Sequence, residues 1–185
     1  MMKNFNLCSE RIAASCTALT LCLLVMAPDA QAVDVVFTAT FQAPTCQVSA
    51  PPTLDFGSIQ SATIKKGNSL NNPLALDITL SQCAGFMGTV KKTGVTVTGA
   101  GNVDAGDFLF RQPTSAAQVY GVRITTASGN VVANNGFVAT ALDSESFDGG
   151  SVVIPLKAAL SCGNKCADAV GGMLTAAVTF NFAWQ

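Results

Sequence analysis

The sequence predicts an all-β sandwich, on three observations. The final stretch alternates: Leu174, Ala176, Val178, Phe180, Phe182 and Trp184 fall on one face, and Met173, Thr175, Ala177, Thr179, Asn181 and Ala183 on the other. A period of two over this length marks a half-buried strand. Alternating runs of the same kind recur along the chain between Gly, Pro, Asn and Ser turns, with no amphipathic helix of useful length and no internal repeat. Composition agrees. Val, Thr, Ala and Gly dominate, charged residues are 11% and aromatics 7%, which suits short strands and turns.

Residues 1–32 read as a secretory signal peptide. Lys3 and Arg11 give a positive start, Ile12 to Met26 is apolar, and Ala30-Gln31-Ala32 is an A-x-A cleavage site. The apolar run is shorter than the ~20 residues that a spanning helix needs. Val33 is then the expected mature N-terminus, and about 150 residues remain, enough for one domain with a real core.

The elements follow in order. Val33, Val35, Phe37, Ala39 and Phe41 share one face of an alternating segment, with Asp34, Val36, Thr38, Thr40 and Gln42 opposite, until Pro44 ends regular pairing. After Pro51-Pro52 a short strand is expected around Leu54 to Ile59. Ser61 to Asn72 is a polar loop ending at Pro73. Leu74, Leu76, Ile78 and Leu80 alternate in a strand that runs into Cys83, and Val90, Val95 and Val97 suggest the next. Gly99 to Gly106 reads as a turn-rich link, followed by the brief apolar piece Phe108-Leu109-Phe110. Val119 to Thr126 is a strand, and Ser128-Gly129-Asn130 a hairpin turn before Val131-Val132. Phe137 to Leu142 and Val152 to Leu160 follow, separated by an acidic loop. The last strand runs to the second-last residue. Chain ends fray unless tied down, so something must hold this one.

Cysteine use fits export. Cys8, Cys16 and Cys22 leave with the signal, and Cys46, Cys83, Cys162 and Cys166 remain. An even number in an exported chain implies two disulfides. Three pairings are open, and spacing alone does not choose among them. Cys162 and Cys166 are close enough for a local turn to join them, which leaves Cys46 with Cys83; these are the expected pairs. A zinc site fits poorly, because the chain has no His and Cys46 and Cys83 lack a close partner.

Other chemistry finds little support. No His serves as base or ligand, and no nucleophile has a plausible partner, so catalysis is not expected and no cofactor is implied. Asp143, Ser144, Glu145 and Asp148 lack EF-hand spacing. The glycines of 99–106 lack the dinucleotide-binding spacing. Lys65-Lys66 and Lys91-Lys92 read as exposed loop pairs. A formal net charge of −1 gives no basic face for nucleic acid.

Read together, these features resemble the pilin domain of chaperone–usher fimbriae, the type 1 subunits of Gram-negative bacteria. The resemblance spans the whole mature chain. An alternating segment follows the signal and ends near the first cysteine, Cys46. A second cysteine closes the strand Ile78-Thr-Leu-Ser-Gln-Cys83. Gly172 stands fourteenth from the end, and the second-last residue is an aromatic, Trp184, where the family usually has Tyr. Val95-Thr-Val-Thr-Gly99 and Val119-Tyr-Gly-Val-Arg-Ile124 also look like family strands. Trp184 and the Cys162/Cys166 pair depart from the pattern.

The resemblance implies an incomplete immunoglobulin-like β-sandwich, residues 44–185, completed by a donated strand. Residues 33–43 would be the donor extension, with Val33, Val35, Phe37 and Phe41 filling pockets of a neighbour and Ala39 lying where its groove is shallow. Gly172, Leu174, Val178, Phe180, Phe182 and Trp184 would form the strand that borders the groove and meets the chaperone, with Gly172 leaving room for the inserted strand. The implied partners are a periplasmic pilus chaperone, an outer-membrane usher, other fimbrial subunits and, through the fibre, a host receptor. The implied route is export to the periplasm and then the cell surface. The short extension before Cys46 suggests a minor subunit. The rival functions are a tip adhesin and a self-contained secreted β-sandwich binding module.

Overall fold

The computed structural model describes residues 36–40, 43–64, 73–85, 91–140, 148–168 and 170–185. The chain divides into two units, 1–40 and 41–185. Within the first, residues 36–40 carry no secondary structure, and Val36 and Phe37 are 85% and 90% exposed. The signal segment, Val33, Val35, Phe41, Lys65-Lys66 and the acidic residues Asp143 to Glu145 lie outside the described residues.

The second unit is a sandwich of antiparallel strands. In chain order they are β1 (Thr45–Ser49), β2 (Leu74–Ala84), β3 (Thr93–Gly99), β4 (Gly101–Asp104), β5 (Asp107–Phe110), β6 (Gly121–Thr126), β7 (Gly136–Ala139), β8 (Val152–Ser161) and β9 (Val178–Trp184). One sheet has six strands in the order β1-β2-β8-β6-β5-β4, the other three in the order β7-β3-β9. Helical structure among the described residues is limited to 3-10 turns at Ser61–Thr63 and Cys166–Asp168.

Alternation decides which side chains enter the core. Leu76, Ile78 and Leu80 of β2 point inward, as do Ile154 and Leu156 of β8. Val95 and Val97 of β3 meet them from the other sheet and are wholly buried. β8 carries Pro155, which lacks an N–H. Pairing with β6 ends at Leu156, so Pro155 has only Asp77 of β2 across from it, and no ladder on its other side is deprived of a donor. β3 runs between β7 and β9. A Cβ at Gly94 would stand 2.0 Å from the Val138 carbonyl oxygen, so only glycine lets β7 approach here.

Three expectations are corrected. Leu54 to Ile59 forms no strand. The Gly57 N–H donates to Asp55 Oδ1 at 2.8 Å, with Gly57 at φ +69°, and this local turn competes with ladder pairing after two prolines. The glycine-rich stretch after Gly99 is no mere link. It is the β4–β5 hairpin, in which Asp104 faces Asp107 across Ala105 and Gly106, both at positive φ, +56° and +87°. That geometry suits the twist of two paired strands, but Ala-Gly lacks the Asn-Gly or Asp-Gly signal. Finally, the C-terminal strand starts at Val178 rather than near Gly172, because β3 ends at Gly99 opposite Val178. Before that point no strand among the described residues pairs with it.

Candidate functional site

β9 has one strand neighbour. It lies at the edge of its sheet, with β3 on one side and no paired strand on the other among the described residues. Beside that edge runs a groove of about 910 Å3. Leu54, Phe56 and Ile59 line one wall, and Leu174, Ala176, Val178 and Phe180 the other. Leu76, Ile124, Ala158 and Leu160 of the six-stranded sheet lie between them.

The ladder phase says which backbone groups face the groove edge. Gln185 and Lys92 exchange both backbone hydrogen bonds, at 2.9 and 2.7 Å. Such pairs alternate along an antiparallel ladder, so the backbone groups of Asn181 and Thr179 turn toward β3. Those of Phe180 and Val178 turn the other way. The far side of β3 agrees: the Thr93 and Val97 carbonyls accept from the Thr140 and Asn135 N–H groups, each at 2.8 Å, on the β7 side. Val178 and Phe180 therefore offer an apolar side chain to the groove and a donor–acceptor pair to its edge.

Burial marks the same place. Inward residues of β2, β3 and β8 are buried, yet Leu174, Ala176, Val178, Phe180 and Phe182 are all only half-buried. All five pack against the core, and Leu174, Ala176, Val178 and Phe180 also open to the groove. A strand laid here gains about 1.5–3 kcal/mol for each large apolar side chain it buries, before ordering costs. It also gives the edge groups of β9 partners, so an extended segment with alternating apolar side chains is the ligand this shape fits.

The end of β9 is tied down by the Gln185–Lys92 pair and by Lys91, whose Nζ lies 4.4 Å from the Trp184 ring centroid. Lys91 and Lys92 are exposed, but Lys91 does more than bear charge on a loop. Trp184 is 37% exposed and is not among the groove's lining residues.

Gly172 lines the groove but meets a different neighbour from the one expected. A Cβ there would stand 3.0 Å from Ala116 Cβ and 3.1 Å from the Ala117 nitrogen, so the close approach is to the 112–117 segment. That segment holds residues 173–175 in place of a strand. The Ala117 N–H donates to the Met173 carbonyl (3.2 Å) and the Gln112 N–H to the Thr175 carbonyl (2.7 Å), while the Thr175 N–H donates to Ser115 Oγ (3.0 Å).

Cys46 is bonded to Cys83, joining β1 to β2 at a bulge where Thr45 faces Ala84 but Gln47 faces Ser81, and Gln82 takes φ +50°. Cys162 is bonded to Cys166 just past β8. Sequence reasoning missed the opposite wall, Leu54 to Ile59, and the contributions of Ile64, Ala117 and Tyr120. Their signal was apolar residues inside turn-rich segments, which periodicity does not weigh. Among the described residues no group of three or more His, Cys, Asp or Glu could hold a metal ion, and no helix is long and apolar enough to cross a membrane.

Comparison with known proteins places this geometry. The sequence model described as "Fimbrial protein" matches residues 35–185. The crystal structure of the P pilus rod subunit PapA is similar with a TM-score of 0.53 at 21% identity, over 82% of this chain and 100% of that one. A chain in a structure of a chaperone–usher pilus is similar with a TM-score of 0.57 at 23% identity, over 86% of this chain and 99% of that one. No curated protein matches the sequence. The structural likeness gives the fold: the all-β, incomplete immunoglobulin-like sandwich of a pilin.

Proposed function

The chain belongs to the fimbrial protein family, and on that premise we propose that it is a minor structural subunit of a chaperone–usher fimbria, a strand acceptor through its groove and a strand donor through residues 33–43. The observation that carries this reading is the edge of β9. Val178 and Phe180 turn apolar side chains to an open groove and backbone groups to the same side, which is the form of a sheet awaiting one more strand. Residues 36–40 support the donor role: they carry no secondary structure, and Phe37 is 90% exposed. A minor position fits the short segment between the expected cleavage site and Cys46.

In this reading a periplasmic chaperone first covers the groove, the usher directs exchange, and the next subunit's extension replaces the chaperone strand. The assembled fibre supports adhesion at the cell surface. The test is a fusion of residues 33–43 to the C-terminus of the mature chain through a flexible linker. A strand turning back from Gln185 runs antiparallel to β9 and can enter the groove. The fused chain is expected to melt cooperatively at a much higher temperature than the unfused chain. Equal melting of the two would overturn the acceptor reading.

A further inference from the structure

We propose that the Cys162–Cys166 loop, clasped by Asp104, is a positioning device that fixes the Gly172 end of the groove and so controls how long a donated strand stays there. This rests on the strand-acceptor reading above. The relevant wall, residues 171–177, belongs to no sheet. Its place is set by what ties it at either side. Toward the C-terminus it runs into β9. Across its flank it bonds to the 112–117 segment. Toward the N-terminus the nearest tether among the described residues is Cys166, the first residue of the 3-10 turn Cys166–Asp168.

The loop is held from within and from outside. Within it, the Lys165 N–H donates to the Cys162 carbonyl at 2.9 Å, the Gly163 N–H donates to Ser161 Oγ at 3.2 Å, and the disulfide closes the turn. Outside it, Asp104 reaches over from the β4–β5 hairpin. The Asn164 N–H donates to Asp104 Oδ1 at 3.0 Å, and Lys165 Nζ lies 4.0 Å from Oδ2. A Cβ at Gly163 would stand 2.5 Å from Asp104 Cγ, and its φ is +52°, so glycine is needed for the carboxylate to sit against the turn. The hairpin is itself anchored, because Asp107 pairs with Arg123 of β6 at 2.6 Å.

Behind the groove the loop is continuous with its lining. Cys162, 1% exposed, clusters with Ile64, Ala117, Tyr120 and Leu160, and Leu174 and Cys166 pack on the same cluster. Ile64, Ala117, Tyr120, Leu160 and Leu174 all line the groove. Moving Cys162 or Cys166 thus shifts the surface on which the end of an inserted strand rests. A disulfide across so short a loop restrains the unfolded chain little compared with one across a long loop. Its effect belongs to the local geometry, so strand retention is expected to feel its loss more than global folding.

The experiment uses the mature chain fused at its C-terminus to a labelled copy of residues 33–43, with a protease site in the linker. After cleavage, displacement of the labelled strand by excess unlabelled peptide gives its release rate. Cys162→Ala/Cys166→Ala and, separately, Asp104→Ala are expected to release the strand about tenfold faster. Amide exchange should quicken at residues 171–175 but not in β2 or β3. Asp104→Asn keeps an acceptor for the Asn164 N–H and should restore most of the retention. Release at the wild-type rate in both the double variant and Asp104→Ala would overturn the proposal while leaving the groove reading intact. Faster release with uniformly faster exchange would also overturn it, by showing a general loss of stability. If the double variant does not fold, Asp104→Ala with its disulfide intact decides the matter. If the wild-type fusion protects no strand, the acceptor reading and this proposal fall together.

Discussion

Lys91 Nζ lies 4.4 Å from the centroid of the Trp184 ring, so the last aromatic of the chain is covered by a cation that comes just before the strand pairing with it. One residue further on, Gln185 and Lys92 close the ladder with two backbone bonds. Together these contacts answer the question the sequence raised, of what holds a strand that runs to the chain end. A cation over an exposed indole contributes about 0.5–1 kcal/mol. Lys91→Met keeps the aliphatic stem and removes the charge, and should lower the unfolding free energy of the strand-fused chain by about that amount. Urea denaturation checks it; an unchanged midpoint would show that the stem alone packs the ring.

Tyr120 is 7% exposed, and its hydroxyl has no hydrogen-bond partner among the described residues. A buried hydroxyl left unpaired costs about 1–3 kcal/mol. Tyr120→Phe removes that group and keeps the ring in the cluster with Ile64, Ala117 and Leu160. The substitution is expected to leave the fused chain as stable as before or about 1 kcal/mol more stable. A loss of stability on thermal unfolding would reveal a partner for the hydroxyl.

What the sequence made legible was the alternation. Leu76, Ile78 and Leu80, Ile154 and Leu156, and Val178 and Phe180 each keep the period of two through a strand, and each takes the inward face. Illegible were features that depend on a neighbour's end. Residues 172–177 alternate as well as 178–184 do, but β3 stops at Gly99, and no local pattern in 172–177 says so. The groove was legible on one wall only. Val178 and Phe180 stood on a readable face, whereas Leu54 and Phe56 lie in a segment shaped by Pro51-Pro52 and the Asp55–Gly57 turn, where side-chain direction follows from local bonds rather than from period. The 101–110 hairpin was hidden for a third reason, since Ala105 adopts a positive φ without the residue type that usually announces it.

Glycine need separates two positions sharply. A Cβ at Gly94 would be 2.0 Å from the Val138 carbonyl oxygen, and backbone cannot yield there without parting β3 from β7. Gly171 has nothing within 4 Å of its would-be Cβ. Gly94→Ala should cost about 3 kcal/mol or more, as severe overpacking does. Gly171→Ala should stay within about 0.5 kcal/mol of the parent. Thermal melting of the two variants in the fused chain reads both. Similar losses at the two sites would contradict the close β3–β7 approach.

The phase of the β9 ladder makes the last prediction. Thr179 and Asn181 turn their backbone groups to β3, whereas Val178 and Phe180 turn theirs to the groove edge. In the unfused chain the Thr179 and Asn181 amides are therefore bonded within the sheet, and those of Val178 and Phe180 have no paired strand among the described residues. Amide exchange read residue by residue by NMR should alternate: slow at 179 and 181, fast at 178 and 180. Fusing residues 33–43 to the C-terminus should slow 178 and 180 by at least about tenfold, the factor that 1.4 kcal/mol of added protection gives. The ratio at 179 and 181 should change less, because their bonds already exist. Side-chain burial alone would slow all four amides together, so an even change along the strand would mean that the donor covers the groove without pairing to β9. Alternation that vanishes only on fusion is the signature of a strand added at this edge.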